Sequence, residues 1–205
     1  MPAPELSPRA RVVVLLSGTG SLCEALLTAA EDPAYPATVV AVGSDRDAPG
    51  LRHAKRRGIA TFTCALRDHP DRAAWDRALA AAIGAHRPDL VVSAGFMKLV
   101  GRPLLSRVPM VNTHPALCPA FPGMHGAADA LAYGVKVTGA TVHLVDEGTD
   151  TGPVLAQAAV AVEPGDTVAT LHERIKIEER RLLVGTVAAL ARHGATVTGR
   201  EVTIP

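Results

Sequence analysis

The sequence predicts an α/β domain built on a mostly parallel, twisted sheet of about seven strands with helices on both faces. Short β-branched runs alternate with Ala-, Leu- and Arg-rich segments of helical period. The first half reads as an uninterrupted βαβαβ series, the arrangement in which parallel strands are joined by crossover helices. The chain has 205 residues, 48% of them hydrophobic, which is ample apolar material for one core.

Residues 1–10, with three prolines, read as a flexible leader, and 11–205 as a single domain. The first strand falls near 11–17, where Val12–Leu16 is a continuous apolar run. A glycine-bearing turn and a helix near 21–31 follow. Strands near 37–43, 59–64 and 89–94 then alternate with helices near 48–57 and 71–86. A short strand near 109–113 delivers the chain into Asn112-Thr113-His114-Pro115. After it the character changes to a proline-rich loop at 115–123, a helix near 125–133, and two long β-runs near 137–145 and 153–161 that read as antiparallel. The last helix, near 167–193, has the fullest support. Val168, Leu171, Ile175, Leu182, Val187 and Leu190 keep roughly one face, Asp166 or Thr167 can cap its start, and Gly194 lies just past its end.

Composition narrows the function. A net charge of +1 argues against a nucleic-acid or membrane-surface footprint, and 3% aromatics leave no base-stacking platform. Cys23, Cys64 and Cys118 are an odd set without CxxC spacing, which suits a reducing cytoplasm and neither a disulfide framework nor a zinc site. The expectation is a cytoplasmic enzyme or binding protein acting on small molecules, without nucleic acid or membrane partners, as a monomer or homodimer.

The chemistry-bearing segments gather at predicted strand ends, where open α/β sheets place their ligands. The residue before a proline favours an extended conformation, and in an extended chain residues two apart point the same way. Asn112 and His114 are therefore expected side by side, able to grip an oxyanion and move a proton. A strand-end turn satisfying backbone groups is the plainer reading of those residues alone. Ser17-Gly18-Thr19-Gly20-Ser21 between a strand and a helix reads as a phosphate cradle, or as an ordinary βα turn. A dinucleotide fingerprint would need Gly where Cys23 stands, although Asp45 at the end of the second strand keeps an NAD-dependent oxidoreductase open. Asp150, in the turn Thr149–Pro153, can orient and charge-stabilise a histidine or simply bind nearby N–H groups. Phe96-Met97-Lys98-Leu99 can wall a slot for a flat heterocycle or belong to the core. Arg72 can meet an anion, and one of Glu178 and Glu179 can face the site and hold an amine; solvent exposure is the default for all three. His143, in an alternating strand, reads as structural, and His125 as a loop residue. No His, Cys, Asp or Glu set has metal-ligand spacing, so no metal is expected.

These motifs together resemble the phosphoribosylglycinamide formyltransferase family of folate-dependent formyltransferases over roughly residues 11–193. They are Ser-Gly-Thr-Gly-Ser at 17–21, Ala-Gly-Phe-Met-Lys at 94–98, Asn-Thr-His-Pro-Ala-Leu-Cys-Pro at 112–119, Phe-Pro-Gly at 121–123, Gly-Ala-Thr-Val-His at 139–143 and Asp-Thr-Gly-Pro-Val at 150–154. The resemblance implies a Rossmann-like formyltransferase fold. It also implies transfer of a formyl group from 10-formyltetrahydrofolate, as co-substrate, to the amine of 5-phosphoribosylglycinamide in purine biosynthesis. Asn112, His114 and Asp150 then fall on the catalytic positions. Gly18, Thr19, Gly20, Ser21, Leu22, Lys176 and Glu179 fall on the ribonucleotide-binding ones. Arg72, Met97, Lys98, Leu99, Val100, Asn112, Asp146, Glu147 and Asp150 fall on folate-contacting ones. Family members commonly carry Asn where this chain has Leu22, often also where it has Thr19, and Arg where it has Lys98. The first departures remove side-chain contacts to phosphate, and the last keeps the charge without the bidentate fork.

Three other formyl-folate or binding readings share these segments. A formyltetrahydrofolate hydrolase implies an additional N-terminal regulatory domain and a methionyl-tRNA formyltransferase a C-terminal RNA-binding one; 205 residues at a charge of +1 leave room for neither. A non-catalytic folate or nucleotide binder would use the same pocket without needing His114.

Overall fold

The computed structural model describes residues 9–205. Its centre is a seven-stranded sheet formed by β1 (Ala10–Leu16), β2 (Ala37–Ser44), β3 (Ala60–Thr63), β4 (Leu90–Ser93), β5 (Met110–His114), β6 (Val137–Leu144) and β7 (Val154–Ala161). Their spatial order is β3-β2-β1-β4-β5-β6-β7. The first five are parallel, and β6 and β7 add on antiparallel to β5 and to each other. All seven lie where the sequence places them, and the two β-runs expected to be antiparallel are so. Residues 1–8 of the expected leader lie outside the described residues, whereas Ala10, also assigned to the leader, is buried as the first residue of β1.

The helices are α1 (Ser21–Ala30), α2 (Leu51–Lys55), α3 (Arg72–Gly84), α4 (Arg102–Leu105), α5 (Gly126–Tyr133) and α6 (Val168–His193). β1 is buried on both sides and explains why two helical layers exist. Val12, Val14 and Leu16 belong to one core cluster, with α1, α2 and α6, while Val13 and Leu15 belong to the other, with α3 and α4. Alternate residues of a strand point to opposite faces, so an apolar run such as Val12–Leu16 needs cover on both.

α6 is the longest element. The side chain of Thr167 accepts from the Thr170 N–H, and Thr170 returns a bond to the Thr167 N–H, closing a capping box. Asp166, the other candidate cap, instead binds Arg174. Leu171, Ile175, Leu182, Val187 and Leu190 are buried as expected, but Val168 stays about half exposed, in a first turn whose residues 167–170 are all exposed. Glu179 occupies a position within the same buried stripe.

Three elements escape the sequence reading: a 3-10 turn at Leu66–Asp68, the single-turn α4, and a hairpin of β8 (Thr196–Thr198) and β9 (Glu201–Thr203). Each is too short to establish a periodicity. No helix among the described residues is long and apolar enough to cross a membrane.

Candidate active site

In the strand order, β1 and β4 diverge to opposite halves of the parallel sheet, and a crevice opens beyond their carboxyl ends. A cleft of about 520 Å³ occupies that place. It is lined by Gly18–Leu22 after β1, by 93–100 after β4, by Asn112–Pro115 at the end of β5, by Asp146 and Gly148–Asp150, and by His172, Lys176 and Glu179 of α6.

Asn112 and His114 project from β5 as a pair, and Asp150 meets both. Its Oδ1 accepts from Asn112 Nδ2 at 3.2 Å, and its Oδ2 lies 3.3 Å from His114 Nδ1. Oδ2 also accepts from the Gly123 N–H at 2.8 Å. Asp150 adopts φ 54, the left-handed region, which aims its short side chain back at β5. Burial pushes the Asp150 carboxyl up, but the bond to His143, the Gly123 N–H and the positive potential of both histidines outweigh it. The net position is below the ordinary carboxylate range. Asp150 is thus a charged group held in a half-buried site.

His143 is the member that sequence reasoning missed. The antiparallel register pairs it with Asn112 across β5 and β6, and side chains directly opposite one another share a face. Its Nδ1–H donates to the Leu144 carbonyl at 2.9 Å, which leaves Nε2 facing Asn112 Nδ2 at 3.3 Å and Asp150 Oδ1 at 3.4 Å. Expected only as a structural residue, His143 is placed in the cleft lining against Asn112 and Asp150. An alternating strand gives no sign of which residue lies opposite, so only the register reveals it.

The loop after Pro115 reaches over this group. Its base is tied down, with Thr141 Oγ1 donating to the Ala116 carbonyl and accepting from the Cys118 N–H. Farther on, His114 Nε2 donates to the Phe121 carbonyl at 2.7 Å, while Gly123 binds Asp150. The Phe121 oxygen therefore sits in the acceptor position of the one His114 nitrogen that Asp150 does not face. A substrate oxygen reaching Nε2 must take its place.

On one side of these groups, the turn after β1 enters α1 through Gly20 at φ 78. A Cβ at Gly20 would also come within 3.0 Å of the Gly50 Cα, so glycine is needed for conformation and for space. The helix start offers free N–H groups and a positive dipole end to an anion. The Leu22 side chain presents no polar atom. Across from it on α6, Lys176 and Glu179 line the cleft, as does His172, which the sequence reading passed over. Positions 172, 176 and 179 share one helical face, a signal the spacing does contain. Glu179 is 4% exposed. Burial pushes its carboxyl up to about 7, with Thr113, Lys176 and Arg180 pulling the other way. The Thr113 hydroxyl is close enough to favour the charged form but makes no hydrogen bond of normal geometry. Glu178 instead pairs with Arg181.

The other side is apolar. Phe96 is buried, and Met97 and Leu99 expose about half their surface to the cleft. The wall is pinned by Ser17 Oγ accepting from the Met97 N–H at 2.9 Å and by Arg72 donating to the Leu99 carbonyl at 2.7 Å. Arg72 is not itself among the lining residues; its guanidinium also pairs with Asp76 and lies over Trp75. Glu147 also stands outside the lining, paired with Arg102. Asp146 accepts from the Gly148 N–H and Thr151 hydroxyl, shaping the turn that carries Asp150. Lys98 lies 3.8 Å from Asp45. Asp45 is also bound by Arg46 at 2.6 Å, and is buried and committed, which removes the free carboxylate a nucleotide ribose would need. Among the described residues no group of His, Cys, Asp and Glu side chains converges as a metal site.

Residues 10–187 match the formyl transferase family. A phosphoribosylglycinamide formyltransferase of Mycobacterium tuberculosis is 63% identical over 200 residues, covering 97% of this chain and 93% of that protein. The human trifunctional purine biosynthetic protein adenosine-3 is 39% identical over 186 residues, covering 89% of this chain and 18% of that longer protein. Among solved structures, glycinamide ribonucleotide transformylase 1 from Symbiobacterium toebii superposes with a TM-score of 0.93 at 42% identity, covering 97% of this chain and 95% of that one.

Proposed function

The chain belongs to the formyl transferase family, as an enzyme of purine biosynthesis, and from that footing we propose that it moves the formyl group of 10-formyltetrahydrofolate onto the amine of 5-phosphoribosylglycinamide through the residues of this cleft. The observation that carries the reading is the meeting of Asn112, His114 and Asp150 between a glycine-rich helix start and an apolar slot. Each region fits a different part of the two substrates. The N–H groups around Gly20 and Ser21 take the phosphate, Lys176 and Glu179 the ribose and glycinamide end, and the Met97–Val100 wall the flat ring of the folate.

The amine nitrogen attacks the formyl carbon, a C–N bond forms, and the carbonyl electron pair moves onto oxygen. Asn112 Nδ2 and His114 Nε2 are the donors for that oxyanion, and one such donor contributes typically about 3 kcal/mol to the transition state. Both are engaged by protein oxygens in the structure, so the substrate exchanges contacts already in place instead of recruiting disordered groups. The tetrahedral species then collapses: the bond from carbon to the folate nitrogen breaks, its electron pair stays on that nitrogen, and a proton must arrive there. The attacking amine has a proton to lose. His114, backed by Asp150 through Nδ1, relays it directly or through a water that Asp150 holds. His143 fixes the Asn112 amide on which the oxyanion depends. Juxtaposing the two substrates removes much of the entropic cost of their encounter.

The free thiols Cys23, Cys64 and Cys118 support a cytoplasmic setting. The test is a formyl-transfer assay with synthetic 5-phosphoribosylglycinamide, following release of tetrahydrofolate. His114→Ala should lose most turnover while still binding both substrates. Near wild-type turnover in that variant would overturn the mechanism, and stabilisation of the protein by NAD alone would overturn the substrate assignment.

A further inference from the structure

Two carbonyl oxygens of the glycine-rich turn are gripped by residues that do not line the cleft. The Gly50 N–H donates to the Gly18 carbonyl at 3.0 Å, and His53 Nε2 lies 3.0 Å from the Thr19 carbonyl. In a trans peptide the N–H points opposite to the C=O. Holding these carbonyls from behind therefore aims the Thr19 and Gly20 N–H groups forward, where the turn borders the cleft. No protein acceptor takes either N–H among the described residues. Because the Leu22 side chain contributes no polar atom, the cradle depends on the direction of such backbone groups.

We propose that His53 is a positioning residue for the substrate phosphate: by holding the Thr19 carbonyl it sets the peptide whose N–H receives the anion. The inference rests on the reading of 17–22 as the phosphate cradle. His53 comes from α2, a separate segment, and its side chain is only 12% exposed. Its Nδ1 faces Glu24 Oε2 at 2.8 Å and an Arg56 nitrogen at 3.0 Å. Glu24 is in turn held by Arg57 at 2.9 Å, so the imidazole is braced against α1. A carbonyl oxygen only accepts, so the contact to Thr19 places a ring hydrogen on Nε2, which donates it.

The experiment crosses three variants with two substrates, 5-phosphoribosylglycinamide and its dephosphorylated riboside. His53→Leu removes the donor. His53→Asn keeps a polar side chain whose amide mimics Nδ1 and falls short of Thr19. His53→Gln extends an amide N–H to the Nε2 position. His53→Leu and His53→Asn should raise KM for the phosphorylated substrate about five- to tenfold, the usual worth of one hydrogen bond. Their kcat, their KM for the folate, and their kcat/KM for the riboside should match wild type, and His53→Gln should stay near wild type throughout. If His53→Leu does not fold by thermal melting, the Asn and Gln pair decides. Equal losses on both substrates, a loss confined to kcat, or Gln behaving like Asn would overturn the proposal. A wild-type enzyme that uses both substrates equally would instead overturn the phosphate reading beneath it.

Discussion

Replacing Asp150 with Asn removes one charge at the point where the site converges, with little backbone penalty. Asp150 sits at φ 54, and Asn tolerates that left-handed conformation where most residues do not. The amide keeps one oxygen for the Gly123 N–H, now at 2.8 Å, so the turn should persist. What disappears is the negative charge 3.3 Å from His114 Nδ1 and 3.4 Å from His143 Nε2. At 3.3 Å and an effective permittivity of about 20, a carboxylate and an imidazolium attract by roughly 5 kcal/mol. Release of the buried carboxylate from its desolvation cost offsets part of this, leaving about 3 kcal/mol missing when His114 must be cationic. That corresponds to roughly a hundredfold loss in kcat. Tetrahydrofolate release at saturating concentrations of both substrates measures it, with KM for each expected to change little. A kcat within about fivefold of wild type, or a rise in KM alone, would refute the assignment of Asp150 as the charge partner of His114.

Glu179 carries a pH-dependent cost. Its ordinary value of 4.5 is pushed up to about 7 by burial, so the folded protein favours the protonated acid. The penalty for ionising it is absent below the unfolded value, grows as pH rises through the interval, and is complete above the folded value. Glu179→Gln, permanently neutral, should melt close to wild type at about pH 4.5 and above it at about pH 8, by up to roughly 3 kcal/mol of stability. A difference that does not change with pH would rule this out. At Gly152 a Cβ would overlap the Leu144 carbonyl oxygen, which belongs to the sheet and cannot step aside. Gly152→Ala should therefore cost more than about 3 kcal/mol in urea unfolding and displace the Asp150 turn. Gly185→Ala, in open space on α6, is the control and should stabilise by about 0.5–1 kcal/mol.

What could be read in advance was local. Asn112 and His114 are two residues apart before a proline, and that spacing alone sets them on one side of a strand. The glycine-rich turn between an apolar run and a helix likewise declares itself within a few residues, as does the capped stripe of α6. Arg72 and Glu147 show the limit of position-by-position inference. Each lies near the cleft in sequence terms, yet each spends its charge on a neighbour, Asp76 and Arg102. Val168 follows the helical period of its helix but lies in an exposed first turn, and no period reports where the cover over a helix begins.

The sequence by itself determined the alternation of strands and helices, hence the parallel sheet and the strand ends at which ligands gather, because apolar periodicity is a property of consecutive residues. It also determined which residue types could serve: an amide, an imidazole, a carboxylate and a backbone cradle. Tertiary structure alone decided who stands next to whom. The antiparallel register of β5 and β6 put His143 against Asn112, and a left-handed turn swung Asp150 onto His114. The packing of α2 against α1 brought His53 to the Thr19 carbonyl. These pairings join residues up to 36 positions apart, and they follow from the burial of whole faces, a free energy shared by the entire core and written in no single segment.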